Sequence, residues 1–194
     1  MSTKYKATLP GKAYFITITT VNWVDLFTRL EQRMVIVDAL NYCTDHKGLE
    51  INAYCIMPSH LHLICRAQDD EELVFNIIRD FKKFTSKKII ETILNKKESR
   101  REWLLEMFQK SCQHLKRNQH FKVWQNGYHA LWLESEKFVY QKLNYIHNNP
   151  VKDKIVECPW EYVFSSAQNY ADKEGLVKVF CLGGPLRKYP PVKS

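Results

Sequence analysis

Two apolar runs separated only by a proline and a serine constrain the fold of this chain more than any other part of its sequence. The first run spans residues 49–57, the second spans residues 61–66, and Pro58-Ser59 lies between them. Apolar runs of this length on either side of a tight turn are typical of two antiparallel strands. The sequence therefore predicts a β-hairpin around which the other segments are arranged.

Two further strands and a helix are expected on either side of this hairpin. Residues 14–20 alternate aromatic and β-branched side chains, which is typical of a strand with one buried face. Residues 30–45 place apolar side chains at roughly helical spacing, and Gly48 is a suitable stop for that helix. Residues 123–134 alternate bulky side chains and are expected to form the last strand.

The remaining segments are predicted to be mostly helical. Residues 71–94 carry an apolar stripe that includes Phe84, and residues 95–119 are either a longer helix or an inserted excursion. Ser135 is expected to cap a helix that ends near residue 149, because the residue before Pro150 avoids the helical region. The aromatic side chains beyond it should pack back onto the domain: Trp160, Tyr162, Phe164 and Tyr170.

The order of these segments predicts the fold class. The predicted order is strand, helix, strand, strand, helix, extra helix, strand, helix. Without the extra helix, this order indicates the split βαβ arrangement of a ferredoxin-like (RRM-like) α+β domain with an antiparallel sheet, with His60 and His62 on a central strand and Tyr145 on the C-terminal helix. We expect residues 1–194 to form a single domain with its core at about 10–172, a helical excursion at about 95–119 and a tail at 173–194. Because this fold serves many unrelated functions, the function has to be argued from side chains.

The charge balance favours a polyanionic partner. Lysine and arginine number 29 against 21 acidic residues, which gives a formal net charge of +8. Basic side chains that meet phosphates release condensed counterions, so nucleic acid is the expected partner, although a solvated helix face is the usual alternative. The candidate phosphate contacts are Arg79, Lys82, Lys83, Lys87 and Lys88, followed by Lys116, Arg117 and Lys122.

The composition also bears on where the protein works. The hydrophobic fraction of 45% is sufficient for a packed core, which argues against a disordered chain. Six scattered cysteines without a CxxC pair favour a reducing, cytoplasmic environment. We expect no contact with membranes, since no apolar run approaches the ~20 residues of a membrane span.

His60 and His62 are the most specific chemical feature of the sequence. Side chains alternate along a strand, so both imidazoles should point to one face of the sheet while Leu61 and Leu63 point to the other. Two neutral imidazoles side by side are suited to a divalent metal ion. The same pattern is also compatible with two half-buried structural histidines.

Tyr145 is the second candidate. It lies off the apolar stripe of the last predicted helix and shares a polar face with Gln141 and Asn149. A tyrosine hydroxyl can act as a nucleophile where its phenolate is stabilised, and an asparagine oxygen can bind a hard cation. A packed surface tyrosine beside an ordinary asparagine is the commoner outcome for residues of these types.

Four motifs in order resemble one family of DNA-processing enzymes. Residues 54–64, with Met57-Pro58-Ser59-His60-Leu61-His62, resemble the MPNHxH signature of the HUH single-tyrosine transposases. Residues 145–152 resemble the YIHxNPV signature of their REP-associated branch. Residues 124–129 resemble that branch's FWQxGYHD element, and residues 160–170 resemble its aromatic ending. The resemblance covers about residues 10–172, with departures at Ala130, at Asp153 and throughout 95–119.

This resemblance implies a function and a site. It implies a DNA strand-cleaving and strand-joining enzyme in which His60, His62 and Asn149 bind Mg²⁺ or Mn²⁺ and Tyr145 is the nucleophile. Cleavage would leave a 5′-phosphotyrosine and a free 3′-OH. Relatives act on single-stranded DNA at or near imperfect hairpins, and they work as homodimers or monomers.

Three alternatives are weaker on the sequence. A domesticated, inactive protein that binds DNA hairpins would have no need of the intact set of site residues. A replication or conjugation initiator with the same chemistry would need a longer chain. A zinc hydrolase would need a carboxylate at ligand spacing from the histidine pair.

Overall fold

In the computed structural model, a four-stranded antiparallel sheet forms the frame of the protein. The structure describes residues 7–69, 71–113 and 120–183. The strands lie in the order β2-β3-β1-β4, which is the ferredoxin-like order predicted from the sequence. Their bounds are β1 Tyr14–Thr19, β2 Leu49–Ile56, β3 His60–Ala67 and β4 His129–Trp132.

The helices follow the predicted sequence order, and the excursion contains a helix of its own. Their bounds are α1 Leu30–His46, α2 Val74–Asn95, α3 Arg101–Lys110, α4 Glu136–Lys152 and α5 Ala167–Tyr170. A tight turn at Val21–Trp23 follows β1, and single 3-10 turns are found at Leu26–Thr28 and Pro159–Glu161. Across the described ranges, each helix is too short or too polar to cross a membrane.

Local chemistry explains several of these boundaries. Gly48 follows α1 with a φ of +62°, a conformation that favours glycine, so it ends the helix as predicted. The Ser135 hydroxyl accepts a hydrogen bond of 3.3 Å from the Phe138 backbone N–H, which confirms the predicted cap of α4.

Two predicted boundaries were wrong. Helix α4 does not end before Pro150 but continues through it to Lys152. A proline this close to the end of a helix removes one hydrogen bond without preventing the final turn. The last strand was expected over residues 123–134, whereas β4 comprises only four residues and Trp124 forms an isolated bridge with Thr20. The segment before β4 instead carries irregular backbone that lines cavities described below.

The apolar stripe of α2 also differs from the prediction at one position. Val74, Ile77, Ile78 and Phe81 are buried, but Phe84 is 50% exposed. The buried face continues through Thr85, whose hydroxyl donates to the Phe81 carbonyl and accepts from the Trp124 indole. A hydrogen-bonded threonine can occupy a core position that apolar periodicity alone would not assign.

The segment after α4 packs against the domain, as predicted. Tyr162, Phe164 and Tyr170 are buried, and the hydroxyls of Tyr162 and Tyr170 donate to the Ile56 and Asn52 carbonyls of β2. Buried tyrosines usually find such a partner for the hydroxyl. These aromatic side chains therefore belong to the core.

Candidate active site

The candidate residues from β3 and α4 meet in one open cavity of about 700 Å³. Strand β3 supplies His60 and His62, and helix α4 supplies Tyr145 and Asn149. Residues from β1, from the turn after it, from α2, from the segment before β4, from β4 itself and from the end of α4 complete the walls. The lining residues are Thr17, Thr19, Trp23, His60, His62, Phe75, Gln125, Asn126, Gly127, Tyr128, His129, Tyr145, Asn149 and Asp153.

The two imidazoles lie side by side on the same face of β3. Their ring centroids are 4.6 Å apart, while Leu61 and Leu63 between and beyond them are fully buried. Alternation along the strand produces this arrangement, as the sequence predicted. Burial lowers the pKa of His60. Burial, the neighbouring His60 ring and the positive charge of Lys142 lower the pKa of His62 to about 3. Both rings are therefore neutral near pH 7.

Hydrogen bonds hold each imidazole through its Nδ1 atom. The Thr17 hydroxyl lies 2.9 Å from Nδ1 of His62, and the Ser59 hydroxyl lies 3.1 Å from Nδ1 of His60. Nε2 of His62 is buried and has no hydrogen-bond partner among the described residues. A histidine that ligates a metal commonly binds a partner with one nitrogen and presents the other. The pair therefore fits a divalent cation.

Tyr145 stands across the cavity from this pair and is 38% exposed. Its ring meets those of His62 and Phe15 edge-on, with centroid distances of 5.3 and 5.8 Å. The Nζ atoms of Lys142 and Lys152 lie 5.6 and 5.4 Å from the centre of the tyrosine ring. The phenol is thus accessible and flanked by two positive charges.

Asn149 lies one helical turn beyond Tyr145 and is buried. Its Nδ2 donates to the Tyr145 carbonyl at 2.6 Å. With the amide nitrogen engaged by the helix backbone, the carbonyl oxygen of the side chain is the atom suited to a cation. Within the described ranges, no three His, Cys, Asp or Glu side chains gather to hold a metal ion.

A hydrogen-bonded chain fixes α4 on the sheet. Nε2 of His147 lies 2.8 Å from the Ser166 hydroxyl, which also bonds to the backbone of Tyr54 in β2. His147 is buried, and burial lowers its pKa to about 3. This connection anchors the helix at a point two residues from Tyr145.

Thr17, Trp23 and Asp153 are among the lining residues of the cavity that were not predicted as site residues from the sequence. Thr17 is opposite His62 in the β1–β3 register, and only strand pairing reveals that neighbour. Trp23 packs its ring edge-on against His60 at 5.8 Å. Asp153 lies four residues after Asn149, as Asn149 lies four residues after Tyr145, and it also lines the cavity. The charge of Asp153 raises the pKa of His60, although burial lowers that pKa by more.

Most of the basic candidates line a second groove of about 1110 Å³. Residues 125–127 line both cavities and connect them. Lys88 instead forms an ion pair with Glu91 at 2.8 Å, and Lys116 and Arg117 lie outside the described residues. The candidates that line the groove are Arg79, Lys82, Lys83, Lys87 and Lys122.

Lys82 differs from the other basic side chains of this groove. Its ammonium donates to the carbonyl of Gln125 at 2.9 Å and to the carbonyl of Gly127. Burial and the charge of Lys122 lower its pKa to about 8. Lys82 therefore ties α2 to the segment that separates the two cavities.

Comparison with solved structures places the fold. A structure described as a REP-associated tyrosine transposase bound to a REP hairpin aligns with 100% of this chain and 98% of that chain, with a TM-score of 0.60 and 20% identity. A putative transposase from Deinococcus radiodurans R1 aligns with 70% of this chain and 88% of that chain, with a TM-score of 0.38 and 24% identity. The first of these likenesses, at 20% identity, concerns the fold alone.

Comparison by sequence identifies the family. No curated protein matches the chain. The family profile described as "Transposase IS200 like" matches residues 14–113, which is just over half of the chain and includes both histidines of the cavity. This match agrees with the resemblance deduced from the sequence motifs. The chain belongs to the IS200-like transposase family.

Proposed function

We propose that this protein is a metal-dependent endonuclease and strand transferase for single-stranded DNA. The observation that carries the proposal is the meeting of the exposed phenol of Tyr145 with the His60–His62 pair in one open cavity. A phenol next to a cation site beside a basic groove has the parts needed for phosphoryl transfer.

In this proposal, the Tyr145 hydroxyl attacks the scissile phosphorus. A bond forms between Oη and phosphorus, and the bond from phosphorus to the 3′ oxygen breaks. The fragment that leaves ends in a 3′-OH, and the other fragment of the cut strand remains attached to the protein as a 5′-phosphotyrosine. Because the new ester conserves the energy of the old one, a 3′-OH can reverse the step without ATP.

His60, His62 and the Asn149 amide oxygen are the proposed ligands of Mg²⁺ or Mn²⁺. The orphaned Nε2 of His62 and the neutral state of both rings support this assignment. The cation would polarise the scissile phosphate. Lys142 and Lys152 add positive charge beside the Tyr145 ring and favour the approach of a phosphate.

The proposed substrate is a DNA hairpin with an adjacent single strand. The REP hairpin bound to the structural relative supports this class of substrate. The groove lined by α2 and Lys122 offers basic side chains such as the exposed Lys83 for the phosphates of that DNA, and it adjoins the cavity that holds Tyr145.

The experiment is a covalent-adduct assay with hairpin oligonucleotides and Mg²⁺ or Mn²⁺ on a denaturing gel. We expect an adduct with the unmodified protein, none with Tyr145→Phe, and none with the His60→Ala, His62→Ala double variant. Tyr145→Phe should still bind the oligonucleotide, because it loses only one hydroxyl.

Tyr140→Phe is the matched control, since Tyr140 lies on the same helix and its hydroxyl donates to the Gly183 carbonyl at 2.9 Å. The adduct should form normally with this variant. Full adduct yield with Tyr145→Phe would assign the nucleophile elsewhere. Binding without an adduct by the unmodified protein would favour the domesticated hairpin-binding alternative.

A further inference from the structure

The turn that follows β1 has an unusual backbone. Asn22 and Trp23 have φ values of +53° and +54°, and the Val24 N–H closes the turn on the Val21 carbonyl at 3.3 Å. Two central residues at positive φ are the pattern of a type I′ turn, which prefers Asn followed by Gly. Tryptophan stands where glycine would be unstrained. A bulky side chain in this region is a real outlier that persists only where the surroundings impose it.

Buried hydrogen bonds impose this turn. Thr20 is fully buried, and its hydroxyl lies 2.9 Å from both the Val24 and the Ser59 carbonyls. The Val21 N–H donates to the Val123 carbonyl at 2.8 Å. The turn is therefore fixed to the β2–β3 connection and to the segment before β4, which also surround the cavity.

The strained residue does not contribute its side chain to the core. Trp23 is 60% exposed and lines the cavity that contains His60, His62 and Tyr145. It contacts His60 with a centroid distance of 5.8 Å and an interplanar angle of 71°. By contrast, Trp124 is buried and its indole N–H donates to Thr85. The turn that holds Trp23 at positive φ thus presents an exposed indole beside the histidine pair.

We propose that Trp23 is the stacking platform for an unpaired nucleobase of the DNA strand that enters the cavity. This inference rests on the proposed function and adds a residue that positions the substrate. An exposed indole offers a π-face to any base, and such stacking tolerates different sequences. A base held on Trp23 places the sugar and phosphate attached to it beside His60, within reach of the Tyr145 side of the cavity.

The glycine variant separates binding from folding. Trp23→Gly replaces the strained residue with the one that the turn prefers, so we expect a Tm equal to or above that of the unmodified protein. The same variant should bind a hairpin with a single-stranded flank roughly 5- to 150-fold more weakly, the usual range for loss of one stacked base. Trp23→Phe should recover much of this affinity, because it retains an aromatic face.

The position of the stacked base is found with a double-mutant cycle. Oligonucleotides with one abasic site at each successive flank position are titrated against Tyr145→Phe and against Tyr145→Phe with Trp23→Gly. The first protein binds without cleaving. At one flank position, the abasic site should weaken binding by Tyr145→Phe but have no further effect when Trp23 is also glycine.

Trp103→Ala is the control, because Trp103 is 52% exposed on α3 and is not a lining residue of the cavity. It should show the full abasic effect at every position. Additive losses at all positions, or a Tm of Trp23→Gly well below that of the unmodified protein, would overturn the proposal. A changed oligomeric state of Trp23→Gly in sedimentation, with unchanged DNA affinity, would also overturn it and assign the indole to a contact between copies.

The outcome distinguishes this inference from the proposed function. If the effects of Trp23→Gly and of one abasic site are non-additive but the unmodified protein forms no covalent adduct, the stacking role of Trp23 is supported and the cleavage chemistry is rejected. An adduct that forms with full yield and affinity in Trp23→Gly would reject the platform and leave the chemistry in place.

Discussion

The two nitrogen atoms of the His62 ring lie in different environments, and this difference decides which of them can bind a metal ion. Nδ1 is bonded to Thr17 on the neighbouring strand, and Nε2 is buried without a partner in the described part of the chain. The Thr17 hydroxyl therefore sets both the orientation of the ring and the nitrogen that faces the cavity.

Thr17→Val removes that hydroxyl and keeps the shape of the side chain. We expect the Mn²⁺ concentration needed for half-maximal adduct formation to rise about 10- to 100-fold, the usual effect of losing such a partner. Oligonucleotide binding in the presence of a chelator should not change. Thr28→Val is the control, because its hydroxyl donates to the Asp25 backbone carbonyl and Thr28 is not a lining residue of the cavity. An unchanged metal requirement in Thr17→Val would show that the hydroxyl does not orient the ligand.

The sequence predicted the four candidate residues that line one cavity, but it did not predict the residues from other elements that contact the two histidines. His60 and His62 are two positions apart on one strand, and Tyr145 and Asn149 are one turn apart on one helix, so local periodicity places each pair. Thr17 and Trp23 join them only through strand pairing and a turn. No local rule relates residues from different elements.

At the scale of elements, α2 and the segment before β4 are joined by one ammonium group. Lys82 donates to the carbonyls of Gln125 and Gly127, and the residues between them line both cavities. The neighbouring Lys83 is exposed on the same groove. Two adjacent lysines of α2 thus have different expected roles, one in fixing the loop and one in meeting phosphate.

Lys82→Met and Lys83→Met test this division. Lys82→Met should lower the free energy of unfolding by about 1–3 kcal/mol, because two carbonyls lose a charged donor. Lys83→Met should change stability by less than about 0.5 kcal/mol and should reduce the log–log salt slope of DNA binding by about one. Urea unfolding and binding at several salt concentrations measure both effects. Lys82→Met with unchanged stability and a reduced slope would make Lys82 a phosphate contact instead.

The end of α4 and the start of β4, which were predicted wrongly, are also decided by contacts between elements. Pro150 predicted the end of α4, but the Ile155 N–H bonds to the Pro150 carbonyl at 2.8 Å beyond the helix. Residues 123–134 alternate like a strand, yet only the four residues of β4 pair with β1. Where Trp124 is buried against Phe27 and Thr85, side-chain packing decides the backbone path instead of ladder hydrogen bonds.

At the scale of the whole molecule, stability depends on imidazoles that are buried in the neutral form. Burial lowers the pKa of His147 to about 3, whereas a histidine in an unfolded chain titrates near 6.5. Below pH 6.5, His147 binds a proton in the unfolded chain but stays neutral in the folded protein. The free energy of unfolding therefore falls as the pH decreases from about 6.5 towards 3.

His147→Gln removes this contribution and can retain a hydrogen bond to Ser166. Between pH 7 and pH 5, we expect the variant to lose roughly 1–2 kcal/mol less of its free energy of unfolding than the unmodified protein does. Urea unfolding at both pH values gives the comparison, so a constant packing cost of the substitution cancels. Parallel losses in the two proteins would mean that His147 becomes protonated without unfolding.

The sequence by itself determined the order of strands and helices, the ferredoxin-like class, the shared face of the two histidines and the polar face of α4. Each of these follows from periodicity along a few consecutive residues or from the order of elements. Only the tertiary structure decided that α4 docks over the histidine face, through His147 and Ser166, and that Thr17, Trp23 and Asp153 join the cavity. Those contacts link residues far apart in the chain, and their geometry is set by packing, which no local pattern records.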